Sequence, residues 1–126
     1  MDVGKIYLDG WLRKQGPNFQ DSFKTRWCVL KNGTLSYYVD QNLGGGDAKG
    51  SIEITAKTQI RLFTDMNVTP EGRYNRREHP QGFEIYQGSG FRTYYFDAGT
   101  RQKLIAWVHA LEDVIEAKNE EKARRR

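Results

Sequence analysis

Three cations stand where two neighbouring strands could bring them together. Lys24 and Arg26 are two residues apart in the run Lys-Thr-Arg-Trp-Cys-Val-Leu, 24–30. On a strand both side chains leave from one side, because successive residues alternate faces. An antiparallel partner ending near Lys14 places a third cation beside them. The arginine fork can bind one phosphate through two hydrogen bonds, while the lysines act as point charges for neighbouring phosphates. Each charge-assisted bond contributes about 1.5 to 3 kcal/mol, so three or four such groups suffice for binding in about the micromolar range or better. The chemistry expected is recognition of a multiply phosphorylated anion. The competing account is three solvated charges at strand ends.

Other chemistries find less support. A catalyst needs a converging acid, base or nucleophile, and the chain offers His79 in a loop, His109 on a helix and the single thiol of Cys28. Neither a triad nor a metal-ligand spacing is present, so no catalytic residue, cofactor or metal is expected. Glu112 and Asp113 are adjacent on a helix and point about 100° apart, which makes a solvated face rather than a carboxylate pair. The segment 44–51 superficially resembles a nucleotide phosphate loop, yet Lys49 precedes its glycine and a strand rather than a helix follows. Tyr37, Tyr38, Tyr94 and Tyr95 are interleaved with basic residues, but half of such a set faces the core and no nucleic-acid motif accompanies them. No nucleic-acid partner is expected.

The elements that must position the cations are mostly strands. The chain has 126 residues, the size of one domain, with 13 Gly, 7 Tyr, 6 Phe and 3 Trp, a composition that favours strands and turns. Its net charge of +4 is modest, so attraction to an anion depends on clustering. Strand patterns run from Tyr7 to Gln15, Lys24 to Leu30, Thr34 to Val39, Ser51 to Ile54, Gln59 to Phe63, Gly82 to Gln87 and Arg92 to Asp97. Asn32-Gly33 is a hairpin signal, because both residues tolerate positive φ.

From Thr100, a candidate N-cap, Leu104, Trp107, Val108, Leu111, Val114 and Ile115 recur at helical spacing. The expected fold is mainly β: a seven-stranded antiparallel half-barrel or sandwich of two sheets, capped by one C-terminal amphipathic helix with Trp107 as a core plug. Residues 1–118 form the domain, and 119–126 a charged tail that is a frayed helix or linker. One cysteine allows no internal disulfide, and no apolar run resembles a signal peptide or membrane span, so the expectation is a cytoplasmic chain. The glycosylation patterns Asn32-Gly-Thr34 and Asn67-Val-Thr69 then have no consequence.

Gly10-Trp11-Leu12-Arg13-Lys14, the run Lys24 to Leu30 and a tryptophan in the final helix together resemble the pleckstrin-homology family, over roughly Tyr7 to Ala117. In its phosphoinositide-binding branch a lysine ending the first strand and a basic-x-Arg pair in the second grip the headgroup, followed by two alternate hydrophobic positions. Lys14, Lys24, Arg26, Cys28 and Leu30 fit that pattern. The resemblance also implies Tyr37 in the third strand and Lys49 before the fourth as ligands. It implies a non-enzymatic module, monomeric as an isolated domain, recruited to the plasma membrane or another phosphoinositide-bearing membrane. The three-cation pattern is similar to members preferring phosphatidylinositol 3,4,5-trisphosphate or 3,4-bisphosphate. Phe91 departs from some of the tightest binders, which carry a polar or basic residue there. The alternative is a protein-binding module, for a small GTPase or another signalling partner, with weak or no lipid specificity.

Two loops bear on a membrane surface. Phe19, in the loop Gly16 to Phe23, either enters the lipid interface or packs on its own domain. Arg73, Arg76 and Arg77, in the long connection Thr64 to Gln81, either attract an anionic leaflet at about 1 kcal/mol each or are simply solvated.

Overall fold

Alternation of apolar and polar residues sets the strands, and local turn chemistry joins them. The computed structural model describes residues 6–18, 21–41, 47–65 and 78–125. β1 (Ile6–Gln15), β2 (Phe23–Lys31) and β3 (Thr34–Tyr38) follow one another as antiparallel neighbours, and β4 (Gly50–Glu53) pairs with β3. Asn32 and Gly33 between β2 and β3 have φ of 53° and 79°, the left-handed backbone that the Asn-Gly hairpin requires. β5 (Gln59–Leu62), a 3-10 turn (Phe63–Asp65), β6 (Gly82–Tyr86) and β7 (Tyr94–Asp97) complete the β part. Each strand lies within one or two residues of its expected bounds.

Among the described residues the seven strands form one antiparallel sheet in the order β4-β3-β2-β1-β7-β6-β5, which of the two expected arrangements is the bent half-barrel and not the two-sheet sandwich. The reason is β1. Its ten residues pair with β2 along nearly their whole length, while Arg13 and Lys14 also pair with Asp97 and Phe96 of β7. The sheet thus passes through β1 without a break and bends round a single core. Leu12, Leu35 and Ile52 from one half meet Phe83, Ile85 and Phe96 from the other in that core. At the two ends of the sheet, Gln87 Nε2 donates to the Glu53 carbonyl at 2.8 Å, holding the end of β6 against β4.

Helix α1 (Arg101–Arg124) closes the bend. Thr100 caps it, its Oγ1 accepting the Lys103 N–H at 3.2 Å. The apolar stripe buries Leu104, Trp107, Ala110, Leu111, Val114 and Ile115. Trp107 is 3 % exposed and lies over Gly10 of β1, where a Cβ would stand 3.7 Å from the indole. On the wet face, the Tyr7 hydroxyl donates to Asp113 at 2.6 Å and ties β1 to the helix. The helix continues to Arg124. The segment after 118 is rich in Glu, Lys, Ala and Arg, good helix formers that need no apolar face. Asn119 Nδ2 bonds the Ile115 carbonyl at 3.1 Å, and Arg125 pairs with Glu121 at 2.7 Å.

Candidate anion-binding cleft

The register of β1 on β2 decides the site. Lys14 is the direct partner of Lys24, and Leu12 of Arg26, so the three cations share one face of the sheet with Leu12, Cys28 and Leu30. That face is core at Leu12, Cys28 and Leu30, all nearly or fully buried, and turns cationic towards the end of the strand pair. One inward face thus changes from apolar to basic within a few residues.

Tyr37 extends this face into β3, opposite Cys28. Gly50 pairs with Tyr37 in β4, and a Cβ at Gly50 would collide with the Tyr37 hydroxyl, so glycine leaves that group its place. Lys49 arrives just before, its N–H donating to the Tyr37 carbonyl at 2.8 Å. The opposite wall comes from the approach to β7. Arg92 lies with its guanidinium 4.4 Å from the Tyr94 ring centroid and beside the Tyr37 hydroxyl.

The result is a cleft of about 400 Å³ lined by Lys14, Lys24, Arg26, Tyr37, Lys49 and Arg92, with Gln15, Gly16, Pro17, Asp21 and Ser22 completing the rim. All five site residues expected from the sequence come together here. Phe19, Arg73, Arg76 and Arg77 lie outside the described residues. The sequence marks Arg92 only as the start of a strand, and the structure adds it to the cleft lining. The available signal is its spacing two residues before Tyr94, but β7 begins only at Tyr94, and the place of Arg92 also needs the pairing of β7 with β1.

Lys14 is the floor of the cleft. It is 8 % exposed, its Nζ donates to the Gln15 carbonyl at 3.3 Å, and it lies 4.5 Å from the Tyr37 ring centroid and 5.5 Å from that of Tyr94. Burial, followed by the charges of Arg92 and Arg26, pushes its ammonium down to about 8. Among the described residues no carboxylate lies within ion-pairing distance of it. The one acid in the cleft lining, Asp21, accepts the Asn18 N–H at 2.9 Å. Burial, helped by Tyr94, raises the Tyr37 hydroxyl above its usual range, and Arg92 opposes that shift. The aromatic rings offer Lys14 partial compensation through their negative faces. They do not neutralise it.

A larger hollow of about 550 Å³ lies across Arg92, with Ile52, Ala56, Phe91 and Tyr94 among its lining. It holds only Lys57, Lys122 and the shared Arg92 as cations, with Glu53 among them. The smaller cleft, not the larger, concentrates positive charge. His79 sits elsewhere, its Nδ1 2.8 Å from Asp97 Oδ2 and its ring 4.1 Å from that of Phe23, a clamp at the end of the long connection.

The PH domain family model matches residues 6–116, and the chain belongs to the PH domain family. Human pleckstrin homology domain-containing family A member 7 is 31 % identical over 121 residues, covering 84 % of this chain and 10 % of that protein. A RAC family serine/threonine-protein kinase homolog of Dictyostelium discoideum is 32 % identical over 111 residues, covering 88 % and 21 %. The chain therefore spans about a tenth to a fifth of these curated relatives. The solved PH domain of human family A member 5 superposes with a TM-score of 0.64 at 30 % identity, covering 87 % of this chain and 77 % of that one. The C-terminal PH domain of pleckstrin, solved with D-myo-Ins(1,2,3,5,6)P5, superposes with a TM-score of 0.65 at 22 % identity, covering 90 % and 99 %. PH domains are in general lipid- or protein-interaction modules, and the family is in general non-catalytic. No helix among the described residues is long and apolar enough to cross a membrane.

Proposed function

We propose that the cleft binds the phosphorylated headgroup of a phosphoinositide and so docks the chain on a membrane, with preference for lipids phosphorylated at the inositol 3-position. The observation that carries this reading is Lys14: a lysine 8 % exposed, crowded by Arg92, Arg26 and Lys49, with no described carboxylate to pair it. Burying a charge without a counter-charge is costly, and an anion entering the cleft supplies the missing partner. Arg26 offers the bidentate fork for one phosphate, and the exposed Lys24 and Lys49 supply point charges at the rim. Lys14 reaches the headgroup from below, while Arg92 faces it from the β7 side and the Tyr37 hydroxyl from the β3 side.

An inositol pentakisphosphate is the ligand of the pleckstrin domain that shares this fold, which agrees with a ring bearing several phosphates. The preference for 3-phosphorylated lipids rests on the joint presence of Lys14, Lys24 and Arg26, with Lys49 as an added phosphate ligand. Recruitment from the cytoplasm to a phosphoinositide-bearing membrane follows from that affinity. A binding screen over all phosphorylated inositol lipids tests the reading. Tightest binding to phosphatidylinositol 3,4,5-trisphosphate or 3,4-bisphosphate is expected. Equal binding to every member removes the preference, and binding to none leaves a protein-binding module.

A further inference from the structure

Phe91 is the most exposed of the large hydrophobic residues described, at 70 %, and it stands beside the cleft. It immediately precedes Arg92, which lines that cleft, in the turn between β6 and β7. The turn is tight. The Phe91 N–H donates to the Gly88 carbonyl at 3.2 Å, and Gly88 and Gly90 hold φ of 110° and 90°, a backbone that favours glycine. A closed turn of this kind fixes where the next side chain leaves. The ring forms the lip of the neighbouring hollow without being covered by it.

Single exposed apolar side chains are ordinary on a protein surface. Phe91 differs in its place, one residue from an arginine that lines the cleft and whose guanidinium lies 4.4 Å from the Tyr94 ring centroid. We propose that Phe91 enters the boundary between headgroups and acyl chains of the bilayer while Arg92 faces the headgroup, making the β6–β7 turn an apolar membrane contact. The proposal rests on the phosphoinositide reading above. Neighbouring Cα atoms are about 3.8 Å apart, so a headgroup seated against Arg92 brings residue 91 to the lipid surface with it. An aromatic ring gains by leaving water there, while adjacent cations remain with the phosphates.

The test uses the 126-residue chain and two ligands. One is phosphatidylcholine vesicles carrying a small fraction of phosphatidylinositol 3,4,5-trisphosphate, and the other is soluble inositol 1,3,4,5-tetrakisphosphate. Phe91→Ser is expected to lower vesicle affinity about tenfold and to leave affinity for the soluble headgroup within about twofold, while Phe91→Leu retains most of the vesicle affinity. Phe91→Cys provides a second readout through an environment-sensitive fluorophore. The native thiol, Cys28, is fully buried and pushed up to about 12, so labelling is directed to position 91. Blue-shifted emission on phosphoinositide vesicles is expected.

Equal losses of Phe91→Ser on both ligands would overturn the proposal and make Phe91 a shaping residue for Arg92. Unchanged vesicle affinity, or emission that does not shift on binding, overturns it as well. If the unsubstituted chain binds neither ligand, the phosphoinositide reading falls and takes the proposal with it. If that chain binds both and Phe91→Ser keeps its vesicle affinity, the apolar contact alone falls.

Discussion

Lys14 of β1 and Lys24 of β2 are directly opposed partners in the antiparallel ladder, so two like charges face one another across the strand pair. Lys24 is exposed, whereas Lys14 is buried, and burial with the charges of Arg92 and Arg26 sets the cost of keeping Lys14 charged. This placement works against the free fold and in favour of an anionic ligand. The side chain we assign to phosphate recognition therefore carries a standing cost to stability.

Lys14→Met removes that cost. We expect the free chain to become more stable, on the order of 1 to 3 kcal/mol, given a group displaced from 10.5 to about 8. Headgroup affinity should fall at least about tenfold, because a charge-assisted contact is gone. Denaturant unfolding and calorimetric titration read the two effects. A destabilised variant with normal binding contradicts the account.

The same group predicts opposite pH trends for stability and binding. The Lys14 ammonium lies at about 8 in the folded chain against 10.5 for an ordinary lysine, so between those values the unfolded chain holds the proton more firmly. Its destabilising contribution is fully present below about pH 8 and is relieved as pH rises from there to about 10.5. Headgroup binding needs the cation, so affinity declines as pH rises through about 8. At that pH, titrations in two buffers of different ionisation enthalpy should reveal proton uptake on binding. No uptake, or the same uptake in Lys14→Met, contradicts the assignment.

Arg26 and Arg92 separate grip from support. Arg26 is only partly buried and its side chain bonds the Thr25 carbonyl at 2.9 Å, so Arg26→Ala should abolish specific headgroup binding with a nearly unchanged thermal transition. Arg92→Ala should weaken binding about tenfold, the loss of one charge-assisted contact. It should also raise the Lys14 ammonium towards its ordinary value, because Arg92 is the strongest of the neighbouring charges holding it down. Retained affinity in either variant removes that residue from the site.

Trp107 has no part in the cleft and serves as the structural contrast. Trp107→Ala should destabilise the fold by about 3 to 5 kcal/mol through the cavity left beside Gly10 and the core. An unchanged melting temperature would mean that the helix does not close the sheet as described.

Local spacing made much of this legible. Lys24 and Arg26 share a face because they are two residues apart, and Asn32-Gly33 announces its turn by residue type alone. Lys14 joins them through a neighbouring strand. Tyr37 and Lys49 entered by resemblance to the family, and Gly50 now gives them a geometric reason to stand where they do. Arg92 was not legible, because its place depends on β7 pairing with the end of β1, a contact between distant parts of the chain. The choice between half-barrel and sandwich was open for the same reason, since alternation records which face a residue takes and not which strand lies on either side. The helical backbone up to Arg124 fits a segment that, without an apolar stripe, still carries strong helix propensity.

The most direct test of the central claim is sedimentation of the chain with phosphatidylcholine vesicles, with and without phosphatidylinositol 3,4,5-trisphosphate. The account predicts that the chain pellets with the phosphoinositide vesicles alone, that excess soluble inositol tetrakisphosphate releases it, and that Arg26→Ala stays in the supernatant. A chain that remains in the supernatant with both vesicles, or pellets equally with both, contradicts recognition of the headgroup by this cleft.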